Sequence, residues 1–313
     1  AKRMRALIAM ADSTEINALV IDVKDEFGLN YVSRHADVNR NAGDPDKGKI
    51  RDVRALTDSL RAHKILPIAR IVVFKDPWAA KVNPDHVIRK PDGGIWIDKA
   101  GNVWVNPYDR YIWDYNLKVA EEAVALGFGE IQFDYIRFPE PYKSLPPQVF
   151  AGANGVSKPD AIANFLKEAN ARLDKLGVRS TADIFGLVTT VNGPLEVAQH
   201  WERLAPVTDV LLPMTYPSHY PRGSFGVARP NADPYTIQKV ANAKAKERNA
   251  KLGLTGERVR PWIQAFTLGA PAYDGSHVRE QIRGINDAGF QGWILWHPGS
   301  RYEPFLSGLR KER

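Results

Sequence analysis

The chain has 313 residues, enough for one large α/β barrel or two smaller domains. Its 44% hydrophobic and 25% charged residues are ordinary for a globular protein, and no apolar run approaches the roughly 18 residues of a membrane helix. Cysteine is absent, which excludes disulfides, thiolate metal sites and a thiol nucleophile, and the net charge of +7 is scattered among Asp and Glu. The densest basic stretch, Lys239 to Lys251, reads as the solvent face of one helix, so nucleic acid is not an expected partner.

The chain opens with Ala1-Lys2-Arg3-Met4-Arg5 inside a helical pattern, so a segment removed from upstream, such as an export signal, is expected. Residues 4–15 carry Met4, Leu7, Ile8 and Ala11 on one helical face. Residues 17–23 form a near-continuous apolar run, as expected of a strand covered on both faces. A helix is predicted over 50–63 and a strand over 66–74. Residues 78–106 form a long excursion, in which 95–98 and 102–105 flank Lys99-Ala100-Gly101 as a hairpin. A helix over 110–126 ends at Gly127 and leads into a strand over 130–136, which Pro139 terminates. The alternation then continues. Helices are predicted over 160–176, 194–204, 234–250 and 278–288, and strands over 179–185, 209–215, 259–266 and 292–296. A long loop is expected over 217–233.

Such alternation implies parallel strands with crossover helices, and no Gly/Ser/Pro-rich linker divides the chain. The fold class predicted is α/β, a single-domain (β/α)8 TIM barrel over residues 1–313. Seven strands are counted, so the first barrel strand would lie upstream of residue 1. An open doubly wound sheet is the alternative, disfavoured because no Gly-rich phosphate turn follows a strand.

Side chains two apart on a strand share a face. That parity gathers Asp22 with Lys24, Arg70 with Ile68 and Val72, Gln132 with Asp134, Thr181 with Asp183, and Gln264 with Trp262. Tyr216 follows the strand over 209–215, and Arg137 follows Asp134 by three residues. Convergent polar groups at the C-terminal ends of barrel strands are an active-site signature. The structural alternative is a satisfied ion-pair network, such as Asp22 with Arg70.

Four segments then carry a resemblance. They are Val20-Ile21-Asp22-Val23-Lys24-Asp25 with Gly28, Trp104-Val105-Asn106-Pro107, Gln132-Phe133-Asp134-Tyr135-Ile136-Arg137-Phe138-Pro139, and Gly292-Trp293-Ile294-Leu295-Trp296. Together they resemble the glycoside-hydrolase-like barrels of a bacterial domain-of-unknown-function family. The resemblance implies a (β/α)8 fold and sugar-directed activity. It also implies a nucleophile at the end of the fourth strand, matching Asp134, and a partner acid on the fifth, matching Asp183. Some barrels of that layout use a glutamate as the acid.

The expected function is hydrolysis of glycosidic bonds in a polysaccharide or oligosaccharide. Asp134 would be the nucleophile or charge stabiliser, and Asp183 the general acid/base, holding its proton near neutral pH. Arg70 and Lys24 would favour the charged form of Asp134. Substrate contacts are expected from Asp22, Lys24, Arg70, Gln132, Arg137, Tyr216, His219, Gln264, Trp296 and His297. Trp296 and Tyr216 are the aromatics preferred for stacking on sugar rings. No His-x-His or His-Glu-x-x-His pattern occurs, so neither a metal nor another cofactor is expected. A secreted or envelope location fits such a substrate. Two other readings stay open at this point. One is a non-catalytic carbohydrate-binding barrel of the cell envelope, and the other is a metal-dependent deacetylase.

Overall fold

A computed structural model describes residues 2–41, 43 and 48–310. The chain divides into two compact units. One comprises Asn17–Ala182 with Pro194–Thr208, and the other Ala1–Ile16, Asp183–Gly193 and Asp209–Arg313.

The first unit is built on four parallel strands, β1 (Ala18–Asp25), β3 (Leu66–Val72), β4 (Glu130–Asp134) and β5 (Arg179–Phe185), the last of which leaves the unit after Ala182. A two-residue strand, β2 (Gly28–Leu29), turns back antiparallel on the end of β1. The crossovers carry α2 (Ala36–Asn41), α3 (Val53–Ala62), α4 (Pro77–Val82), α5 (Arg110–Ala125) and α6 (Lys158–Asp174). Aspartate or serine starts four of these helices. The side chains of Asp52, Asp76, Asp109 and Ser157 accept from the first-turn amides of α3, α4, α5 and α6. Each such cap is worth about 1 kcal/mol. The core centres on Phe165 of α6, which makes edge contacts with Phe74, Phe133 and Trp113 at 5.4, 5.4 and 5.7 Å.

The second unit holds α1 (Lys2–Asp12), β6 (Val210–Met214), and the strands β7 (Trp262–Gln264) and β8 (Ile294–Trp296) with the two long helices that precede them. The short helix α7 (Trp201–Leu204) belongs to the first unit; α8 (Pro234–Lys251) and α9 (Gly275–Asp287) belong to the second. Asp233 caps α8, and Asp274 forms a reciprocal capping box with His277 on α9. The strand order is β2-β1-β3-β4-β5-β6-β7-β8 in a mainly parallel α/β sheet. The eighth member of the sheet is therefore the small antiparallel β2.

In the long excursion Ile97 forms an antiparallel bridge with Val103, and Gly101 lies at φ +85° in the turn between them. Three expectations change. The helix expected over 194–204 shrinks to α7. Ala198 takes φ +72° and its amide donates to Leu195, while the Val197 carbonyl accepts from Phe138. The strand over 130–136 ends at Asp134 rather than at the proline, because Tyr135 adopts φ +51°. Only 262–264 of the strand expected over 259–266 is regular; Pro261 has no amide hydrogen to give.

Gly186, just after β5, shows how tightly the second unit packs. A Cβ there would lie 2.5 Å from the Met214 carbonyl oxygen and 2.9 Å from the Tyr220 hydroxyl. Gly186→Ala should therefore cost about 1–3 kcal/mol, as overpacking does. A thermal melt reads this, and an unchanged midpoint would show that the backbone yields freely.

Candidate functional site

In the first unit the strand register decides which side chains share a face. Asp22 pairs with Arg70, Arg70 with Gln132, and Gln132 with Thr181. These polar residues therefore form one row, since directly paired residues point the same way. Arg70 is its hub. Its Nη1 lies 2.7 Å from Asp22 Oδ1, and its Nε and Nη2 lie 2.9 and 2.5 Å from Asp134 Oδ2. The two donors of one guanidinium on Asp134 fix that carboxylate in place. The side chains of Arg70 and Asp134 are each 14% exposed and that of Asp22 is 50% exposed, so the cluster opens to water at Asp22. The other oxygen of Asp134 accepts from the Tyr135 amide at 2.6 Å. Gln132 is fully buried beneath them.

Lys24 goes elsewhere. The register of β1 shifts between Asp22 and Lys24, so the two-residue parity fails there. The Lys24 ammonium is closed to solvent. It lies 2.7 Å from Asp76 Oδ2, donates to the Val72 carbonyl and sits 5.2 Å from the Tyr115 ring centre. Its charge is engaged by Asp76. Burial, followed by the Asp76 charge, pushes the Tyr115 phenol well above its usual range. Arg137 packs 5.0 Å from the Trp104 ring and 5.2 Å from the Tyr135 ring, and pairs with Glu140 at 3.2 Å. Trp96 and Trp104 are core residues, buried completely or nearly so.

In the second unit Asp183 is 2% exposed and its Oδ1 lies 2.5 Å from the Trp262 indole nitrogen, which donates to it. Trp262 meets Trp296 edge-on, with ring centres 5.8 Å apart, and Trp296 is half-buried. The acid and the aromatic expected to stack on sugar are thus linked through one indole that the sequence pattern had not singled out as a partner. If Trp296 contacts a glycan, Trp296→Ala should weaken binding of a glycan the wild type holds while the thermal midpoint persists. Calorimetric titration reads this, and unchanged affinity in a folded variant would make Trp296 a packing residue.

Tyr216 lies nearly buried against His219 and Phe266, at 5.3 and 5.6 Å between ring centres. Burial pushes the His219 imidazole below its usual pKa, which favours the neutral ring. Gln264 is fully buried, and its amide is spent on structure. It accepts from the Ser218 amide and donates to Asn231 Oδ1 and the Phe266 carbonyl. His297 organises its own loop, its Nδ1 accepting from the amides of Gly299 and Arg301 at 2.9 and 3.2 Å. Burial first, then the Arg301 and Arg3 charges, keep its pKa low. Among the described residues, no group of three or more His, Asp or Glu side chains could hold a metal ion. None of the described helices is long and apolar enough to cross a membrane.

The fold is of the α/β TIM-barrel class, and solved structures are similar to it. An α-L-fucosidase isoenzyme 2 from Paenibacillus thiaminolyticus superposes with a TM-score of 0.60 at 14% identity, over 97% of this chain and 45% of that one. The spore cortex-lytic enzyme SleL of Bacillus cereus gives 0.56 at 10% identity, over 98% and 70%. A hypothetical protein from Ruminiclostridium thermocellum is 34% identical over 58% of this chain and 90% of its own, with a TM-score of 0.52. No curated protein matches the chain. Residues 1–302 match the family described as "Putative glycosyl hydrolase domain", and the chain belongs to that family.

Proposed function

We propose that the protein hydrolyses glycosidic bonds in a polysaccharide or oligosaccharide, with Asp134 and Asp183 as its two carboxylates. The observation that carries the reading is the Asp134 carboxylate, gripped by Arg70 through two donors and by the Tyr135 amide at a strand end. A carboxylate held this way meets developing positive charge without first having to reorganise. It suits the nucleophile or the stabiliser of an oxocarbenium-like transition state. Asp183 is the general acid/base. It is buried, as a general acid in a water-poor site would be, and the Trp262 indole that donates to its Oδ1 holds the carboxyl in one orientation. Family membership supports the reaction class. The same reading places the protein in the cell envelope or outside the cell, where such polymers are met.

The test is leaving-group dependence. Asp183→Asn should be severely impaired on natural glycans but much less so on aryl glycosides, whose leaving groups need little protonation. Equal impairment on both would remove Asp183 from the acid role.

A further inference from the structure

We propose that Lys75, poised over the ring of Tyr135, the residue that follows Asp134, is a subsite for a carboxylate carried by the glycan, so that the preferred substrate contains acidic sugar residues. The inference rests on the hydrolase reading for its site but concerns which glycan that site accepts.

Lys75 follows Val73 and Phe74, whose amides donate to the carbonyls of Asp134 and Tyr135. The two chain segments therefore run side by side where β3 and β4 end. The Lys75 ammonium sits 4.9 Å from the Tyr135 ring centre, and the Arg137 guanidinium lies 5.2 Å from the same centre. Every other nearby charge of known pairing is spoken for. Asp76, the neighbour of Lys75 in sequence, turns inward to Lys24. Glu140 takes Arg137, and Asp22 and Asp134 share Arg70. Lys75 is half-buried, and among the described residues the one hydrogen-bond, ion-pair or ring partner of its ammonium is the Tyr135 ring.

A half-buried lysine side chain with no ion-pair partner among the described residues is a cation open to pairing with an anion. The face of an aromatic ring compensates only in part. A sugar carboxylate would complete the pair. It would also offset the repulsion that the negative Asp22–Arg70–Asp134 cluster, with two carboxylates to one guanidinium, exerts on an acidic sugar. A neutral glycan would gain nothing from Lys75.

The experiment is calorimetric titration of the full chain at low and at high salt. The probes are oligomers of galacturonate, glucuronate and mannuronate, each beside its methyl ester, which keeps the ring and removes the charge. Sulfated dextran oligomers form a separate arm. Wild type should bind at least one acidic oligomer about tenfold more tightly than its ester, the scale of one charge-assisted hydrogen bond. High salt should shrink that difference. Lys75→Met and Lys75→Gln, each checked by thermal melt, should bring the acid down to the level of the ester and leave ester binding unchanged. Overturning results are equal binding of acid and ester, failure to bind any acidic oligomer, or a preference that survives in both variants. A preference for the sulfated oligomers alone would also overturn the carboxylate assignment. The two readings can fail separately. Lys75-dependent binding without cleavage would sink the hydrolase reading and leave the subsite. Cleavage of neutral glycans without acid preference would do the reverse.

Discussion

Asp134→Asn should lower turnover by at least about 10²–10³-fold, the usual cost of losing a preorganised charge at a reacting centre. The change keeps shape and volume. Arg70 can still donate to the amide oxygen, and the residue remains at the end of β4. What disappears is the negative charge and, with it, any nucleophilic oxygen. The loss should fall on kcat rather than on KM, because the charge matters most when the sugar carries positive charge in the transition state. The measurement is steady-state kinetics on a glycan the wild type cleaves. Near-wild-type turnover would make the Asp22–Arg70–Asp134 cluster an ion-pair network and nothing more.

The second large effect concerns stability. Lys24 and Asp76 form an ion pair with side chains 0% and 1% exposed. Breaking such a pair from one side strands a buried charge and costs about 3–5 kcal/mol. Asp76→Asn isolates that cost well. Asparagine caps a helix as well as aspartate does, so the bond that Asp76 accepts from the Ala79 amide can persist. Lys24→Met should be similarly damaging, since it leaves the Asp76 carboxylate buried without its cation. The double variant should recover part of the loss, because neither charge then remains. Urea unfolding of the four proteins reads the coupling. A double variant destabilised by the sum of the two single losses would show that the pair is not coupled.

Which parts of this were legible in the sequence follows from how local the signals are. The row Asp22, Arg70, Gln132 and Thr181 was readable because side chains alternate with a period of two and the strands align in register. Lys24 escaped the same rule because an irregularity in β1 intervenes after Asp22. Asp76 before Pro77 carries a helix-start signal, yet nothing in the sequence marks it as the partner of Lys24. The Trp262 indole on Asp183 was equally hidden, for it joins strands far apart in the chain. Gln264 was grouped with Trp262 on one strand face and expected to contact substrate, whereas its amide holds the Ser218 and Asn231 loops, a long-range use that strand parity does not encode. The helix expected over 194–204 failed because the Val197 carbonyl pairs with Phe138 in a turn, a long-range bond that apolar periodicity does not encode.

The central claim is that the protein breaks glycosidic bonds. It is met most directly by incubating wild type and Asp134→Asn with a panel of neutral and acidic polysaccharides and measuring the reducing ends released. The account predicts release from at least one polymer by wild type and a rate at least about a hundredfold lower for the variant. Binding of a polymer by wild type with no reducing ends released from any of them would contradict it and favour a non-catalytic carbohydrate-binding barrel.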